Sequence, residues 1–162
     1  MALWQITKQF DPAMARLADR HYSRKSPGTK GFVNPGYNLI LYVPGPTWPF
    51  QVQAGWIWYR SLYPRLDGHD GYYLCSLFRN ESSYLASDLI RDAVQIVNEI
   101  WGLPPHGYDT YVWPERLTPI MQHGKPVYGW CYRKAGWTDS GQWTKDGRKL
   151  RLFLPRGEEA NG

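Results

Sequence analysis

Cysteine is scarce: the 162-residue chain holds two, Cys75 and Cys131, with no spacing that suits a metal. That excludes a disulfide framework or a zinc finger and reads as two reduced, small apolar side chains in an intracellular protein. Long apolar runs are missing too. None approaches the roughly 20 residues a membrane helix needs, and Met1 to Lys8 lacks the charged-then-apolar build of a signal peptide. The expectation is a soluble, cytoplasmic protein with no membrane partner. Repeats and low-complexity linkers are absent, which predicts one domain over residues 1–155 and a disordered tail over 156–162. No two histidines stand at local metal-pair spacing. His69, His106 and His123 fall in Gly/Pro-rich turns, where solvation is the plain reading.

Basic charge and aromatic rings are abundant. The net charge of +5 is uneven: residues 1–30 carry +4, 31–132 carry −2 and 133–162 carry +3. With nine Trp and twelve Tyr, this distribution suits a surface that attracts a polyanion and stacks bases. It suits equally an aromatic core with a solvated exterior.

Strand and helix signals alternate along the chain. Leu3 to Lys8 reads as a short strand. Asp11 and Pro12 read as an N-cap followed by proline at the first helical position, and Met14, Leu17, Ala18 and Tyr22 recur at helical spacing. The first helix is therefore expected to end near Tyr22. Residues 23–36, rich in Gly, Pro and Ser with three basic side chains, predict a binding loop. Tyr22, Arg24, Lys25 and Lys30 are its candidate nucleic-acid contacts. Tyr37 to Val43, Phe50 to Tyr59 and Tyr72 to Phe78 predict an antiparallel meander. Leu85 to Ile100 trace one broad apolar helical face that Gly102 and Pro104 stop. Tyr108 to Trp113 reads as a strand, Lys125 to Ala135 as a helix, and Trp137 with Leu150 to Leu154 as the last strands.

Tyr132, Lys134, Gly136 and Trp137 form a Y-x-K-x-G-W run, an aromatic helical turn stopped by glycine and answered by a strand. Together with the element order, this resembles the GNAT superfamily of N-acyltransferases, in which such a run closes the acyl-CoA site. The resemblance spans nearly the whole chain. It implies an α/β (α+β) fold with a mixed, mostly antiparallel central sheet of about six to seven strands flanked by helices. It also implies acetyl-CoA or another small acyl donor, and gives Tyr132 the role of general acid. The departure lies between the fourth strand and the central helix. Family members place a Gly-rich turn there, whose backbone N–H groups hold the CoA pyrophosphate. Here Phe78 to Asp88 contains no glycine, which predicts weak or absent acetyl-CoA binding.

The substituted loop, with Arg79, Asn80, Glu81, Ser82 and Ser83 ahead of the helix and His21-Tyr22-Ser23 upstream, resembles the Mom-type DNA-modification proteins of phages. That resemblance implies double-stranded DNA as substrate, adenine as the base modified to defeat restriction, and a possible bound metal ion. Two other functions fit the same sequence. One is a conventional acetyl-CoA-dependent N-acetyltransferase acting on a small molecule or protein, and the other a non-catalytic nucleic-acid binder.

Each candidate side chain has a chemical and a structural reading. Ser82, Ser83 and Ser87, with Asn80, are candidates to hold an anionic cofactor group, or to cap a helix. Arg79 offers a planar fork of donors to that anion, or a salt bridge to Asp67 or Asp70. Glu81 is a general-base candidate, or a structural carboxylate. His21 titrates nearest neutral pH and could be a base or a metal ligand, or a last-turn helix cap. Asp109, at the opening of its strand, is a candidate to orient one of these groups.

Overall fold

The structure, a computed structural model, describes residues 3–9, 11–21, 27–28 and 31–157. Of the expected tail, 158–162 lie outside the described residues, as do Tyr22, Arg24, Lys25 and Lys30.

Its frame is a seven-stranded sheet: β1 (Gln5–Thr7), β2 (Tyr37–Pro44), β3 (Val52–Arg60), β4 (Tyr72–Asn80), β5 (Gly107–Val112), β8 (Thr138–Trp143) and β9 (Leu150–Pro155), in the order β1-β2-β3-β4-β5-β9-β8. A small hairpin of β6 (Ile120–Gln122) and β7 (Lys125–Val127) stands apart. All pairs in the large sheet are antiparallel except β4 with β5. That parallel pair is short. It keeps register from Tyr72 opposite Gly107 to Cys75 opposite Thr110 and then stops, although β4 continues to Asn80 and β5 to Val112.

The reason lies on the other side of β4. Ile57 pairs with Leu77 but Trp58 pairs with Cys75, so Ser76 is an extra residue, a β-bulge. A bulge bends its strand and shifts its side-chain alternation by one. Tyr73 and Cys75 accordingly join the core on one face, while Leu77 joins the core on the other. Bent at Ser76, β4 leaves β5 and the sheet opens.

Helix α1 (Pro12–Asp19) covers one face and α2 (Ala86–Trp101) the other. Asp11 caps α1 as the sequence predicts, accepting from the N–H groups of Ala13 at 2.9 Å and Met14 at 3.2 Å. Gly55 lets α1 sit close, because a Cβ there would run into Met14 Cε and Leu17 Cδ2. On the other face Trp4 and Trp58 bury their rings and donate their indole N–H groups to Leu89 O at 2.7 Å and Ala93 O at 2.9 Å. These bonds fix α2 against the sheet and meet both of those indole donors. No helix of the described residues is long and apolar enough to cross a membrane.

The predicted meander is β2-β3-β4, and the predicted central helix is α2, stopped at Gly102 with φ +79°. Several boundaries differ. Helix α1 ends at Asp19, with Arg20 at its C-cap. Strand β3 starts at Val52, because Trp48 to Phe50 turn back with Phe50 N–H on Thr47 O. The helix expected over Lys125 to Ala135 is only α3 (Trp130–Lys134). Lys125 to Val127 pair with Ile120 to Gln122 across a His123–Gly124 turn instead, and Gly129 at φ +68° starts the helix. Trp137 is a buried connector rather than a strand residue.

Candidate functional site

Two clefts meet where β4 and β5 part. The larger, about 560 Å³, lies toward α2 and α3; Arg79, Asn80, Ala86, Arg116 and Cys131 are in its wall. The smaller, about 220 Å³, takes in Ser76, Thr110, Tyr111, Thr144 and Lys149, with Asn34 from the α1 side. His21, Phe78 and Tyr132 line both.

Tyr132 reaches the junction because α3 is short and tightly set. At Gly129 a Cβ would press on Leu152 Cδ1, 2.7 Å away, so only glycine lets the turn start there. The Tyr132 N–H donates to Gly129 O at 3.0 Å. Its ring packs among Trp56, Phe78 and Trp137, and its Oη lies 3.8 Å from Cys75 Sγ. Burial pushes the Cys75 thiol up to about 12, so that sulfur is a neutral neighbour rather than a nucleophile.

His21 follows α1, its N–H on Ala18 O at 2.9 Å. Burial lowers its ring to about 4, helped by the positive charges of Arg79 and Lys149, while a hydrogen bond with the Phe78 backbone works the other way. The imidazole is therefore neutral at physiological pH and able to take a proton. The structure thus brings together two of the four catalytic candidates, His21 and Tyr132.

Glu81 and Asp109 lie elsewhere. The Glu81 carboxylate is clasped by Arg20, with Nε–Oε2 and Nη2–Oε1 both 2.8 Å, and by Arg79 Nε at 2.5 Å. The hydrogen bonds from Arg20 and then Arg79 outweigh its partial burial and hold it at about 2, too acidic for the base expected of it. It lines neither cleft. Arg79, expected at an anion or at Asp67 or Asp70, spends its fork on Glu81 and on Arg20 O at 2.8 Å. Asp67 and Asp70 precede β4 and Arg79 is near its other end; the strand is about 26 Å long at roughly 3.3 Å per residue. Asp109, fully buried, orients neither His21 nor Tyr132. It bridges Arg65 Nη1 and Arg151 Nε, both at 2.9 Å.

Two of the cofactor candidates bond within their own turn. Asn80 Oδ1 accepts from Ser82 N–H at 2.9 Å and from Ser82 Oγ at 2.5 Å, Ser82 Oγ accepts from Tyr84 N–H at 3.2 Å, and Asn80 Nδ2 donates to Tyr84 O at 2.8 Å. The loop's N–H groups at Ser82 and Tyr84 are thus met by its own side chains, and no residue from 81 to 85 has positive φ. Leu85, not a serine, holds the N-cap of α2 with no side-chain bond; Ser87 is buried in the first turn and Ser83 is exposed. The larger cleft has room for an acyl group, and the Asn80–Tyr84 turn that flanks it is not a Gly-rich turn of bare N–H groups. Among the described residues no three His, Cys, Asp or Glu side chains gather as a metal site. Sequence reasoning missed Ser76, Thr110, Tyr111, Lys149 and Arg116. Only Lys149, in the basic C-terminal part, carried a signal.

The sheet is mostly antiparallel, and its one parallel pair parts beside the N-terminus of α2. A solved acyl-CoA N-acyltransferase from Pseudomonas aeruginosa matches 93% of this chain with 97% of its own, at a TM-score of 0.56 and 14% sequence identity. The likeness establishes the GNAT-type fold that the sequence predicts. No protein-family model matches the chain, and no curated protein matches it.

Proposed function

We propose that the protein transfers a small acyl-type group from a donor in the larger cleft onto an amine in the smaller one, and that the amine belongs to adenine in double-stranded DNA. The observation that carries the reading is the junction itself: His21 and Tyr132 border both clefts. As the amine nitrogen bonds to the acyl carbon, its proton passes to the neutral His21 ring. As the bond to the donor's leaving group breaks, Tyr132 Oη supplies that group's proton. An aromatic amine is unprotonated at neutral pH, so it needs an acceptor only while the new bond forms, a task a weakly basic imidazole can do.

Adenine as acceptor is supported by the likeness of the Arg79 to Ser83 loop and the His21-Tyr22-Ser23 run to Mom-type proteins, and by the basic ends of the chain. A duplex base must be flipped out to enter such a cavity. Modification of this kind would shield phage DNA from restriction in the host cytoplasm. A conventional acetyltransferase is disfavoured by the closed Asn80–Tyr84 turn. Co-expression with plasmid DNA, followed by nucleoside mass spectrometry, tests the reading. A mass increment on deoxyadenosine that disappears with Tyr132→Phe supports it. Unmodified DNA, alongside tight acetyl-CoA binding in a calorimeter, sinks it in favour of the conventional enzyme.

A further inference from the structure

The rim of the smaller cleft is built partly by the turn between β8 and β9, which sends Thr144 and Lys149 into its wall. The turn is well fixed. Thr144 N–H donates to Lys149 O at 2.9 Å and Gly147 N–H to Thr144 O at 2.8 Å, with Gly147 at φ +72°. The Asp146 carboxylate accepts from Thr144 Oγ1 at 2.6 Å and from Arg148 N–H at 3.1 Å, and feels the charges of Arg148 and Lys149 without forming an ion pair with either. Lys145 and Arg148 are exposed and Lys149 half-buried. Among the described residues none of the three forms an ion pair with a carboxylate, unlike Arg20, Arg65, Arg79 and Arg151. Next to them Trp143 leaves about half its surface, 51%, in solvent, on a strand at the edge of the sheet.

Cations outside close ion pairs attract phosphates, and an exposed indole beside them offers a face on which a base can stack. We propose that the β8–β9 hairpin grips the DNA strand flanking the acceptor base, with Lys145, Arg148 and Lys149 on phosphates and Trp143 against a neighbouring base. The proposal rests on the reading of duplex DNA as acceptor. An acidic protein surface would use the cations but not the exposed Trp143 ring that adjoins Thr144 in the cleft wall.

The test uses the full chain and a fluorescent DNA duplex, with an RNA duplex of the same sequence as the second arm, titrated between 50 and 200 mM salt, a range over which phosphate contacts dominate the salt dependence. Lys145→Ala with Arg148→Ala should flatten the plot of log affinity against log salt by about 1.8, the value for two lost phosphate contacts. Trp143→Ala should weaken DNA binding about fivefold or more at every salt while leaving the slope unchanged. All three side chains are solvent-facing, and melting curves matching the parent's confirm intact folds. Wild-type binding and modification of DNA with both variants unaffected overturns the hairpin and spares the acceptor reading. A slope loss on RNA alone overturns the DNA grip, and no duplex binding by the wild type overturns both.

Discussion

Two carboxylates in this protein each sit between two guanidiniums, at opposite ends of β4, and they do different things. Asp109 is fully buried between Arg65 and Arg151. Arg151 also stacks over Tyr72, and Arg65 reaches on to Asp67, which accepts the Tyr111 hydroxyl at 2.7 Å. That chain fixes a wall of the smaller cleft to the 61–71 loop. Glu81 is 28% exposed between Arg20, at 45%, and Arg79, at 35%. It tethers the C-terminal end of α1, just before His21, to the end of β4. The same ionic grouping is structural where water is excluded and adjustable where water reaches it.

The largest effect should come from the buried group. Asp109→Asn leaves the buried Arg151 guanidinium without its countercharge and Arg65 with Asp67 alone, and should cost about 3–5 kcal/mol in denaturant unfolding, or prevent folding. A loss comparable to that of Glu81→Gln would erase the contrast between the two sites. Tyr132→Phe, between them, should lower transfer about a hundredfold, roughly 2.7 kcal/mol in barrier, with the melting temperature within a few degrees. Full activity in that variant would move the acid elsewhere.

Acid should separate the groups further. His21 has its pKa depressed from 6.5 to about 4 by burial, so the unfolded chain binds its proton first and stability falls as pH drops from 6.5 toward 4. Melting curves of His21→Asn should be flatter across that window, and identical curves would refute the buried neutral ring. Glu81, held at about 2, contributes fully above its unfolded pKa near 4.5, and that contribution disappears as pH falls through about 2. The smallest effect is therefore Glu81→Gln at neutral pH, under about 1 kcal/mol and shrinking with added salt. A loss of 2 kcal/mol or more would make this exposed cluster as structural as the buried one.

Much of the frame was legible in the sequence, because local chemistry dictates it. Asp11-Pro12 can do little but start a helix, and Gly102 and Gly136, at φ +79° and +95°, stop one. Tyr132 was singled out through the Y-x-K-x-G-W resemblance, and the structure places it where the two clefts meet. The helix expected over Lys125 to Ala135 shortens to Trp130–Lys134 because the pairing of Lys125 to Val127 depends on a partner strand that no local pattern reveals. Glu81 misled for a related reason. Its acidity is set by Arg20, 61 residues away, and no local pattern carries that. Ser76 looked like any strand serine, since a bulge exists only relative to the neighbouring strand.

That serine has a consequence for how the protein can change over time. Beyond it β4 runs half a step out of phase, and the phase decides which face Phe78 and Asn80 meet. Replacing Ser76 with another small residue preserves the count; deleting it resets the rhythm and lets β4 run flush against β5. Substitutions can retune the meeting point of the two clefts, but the loss of one residue would zip it shut.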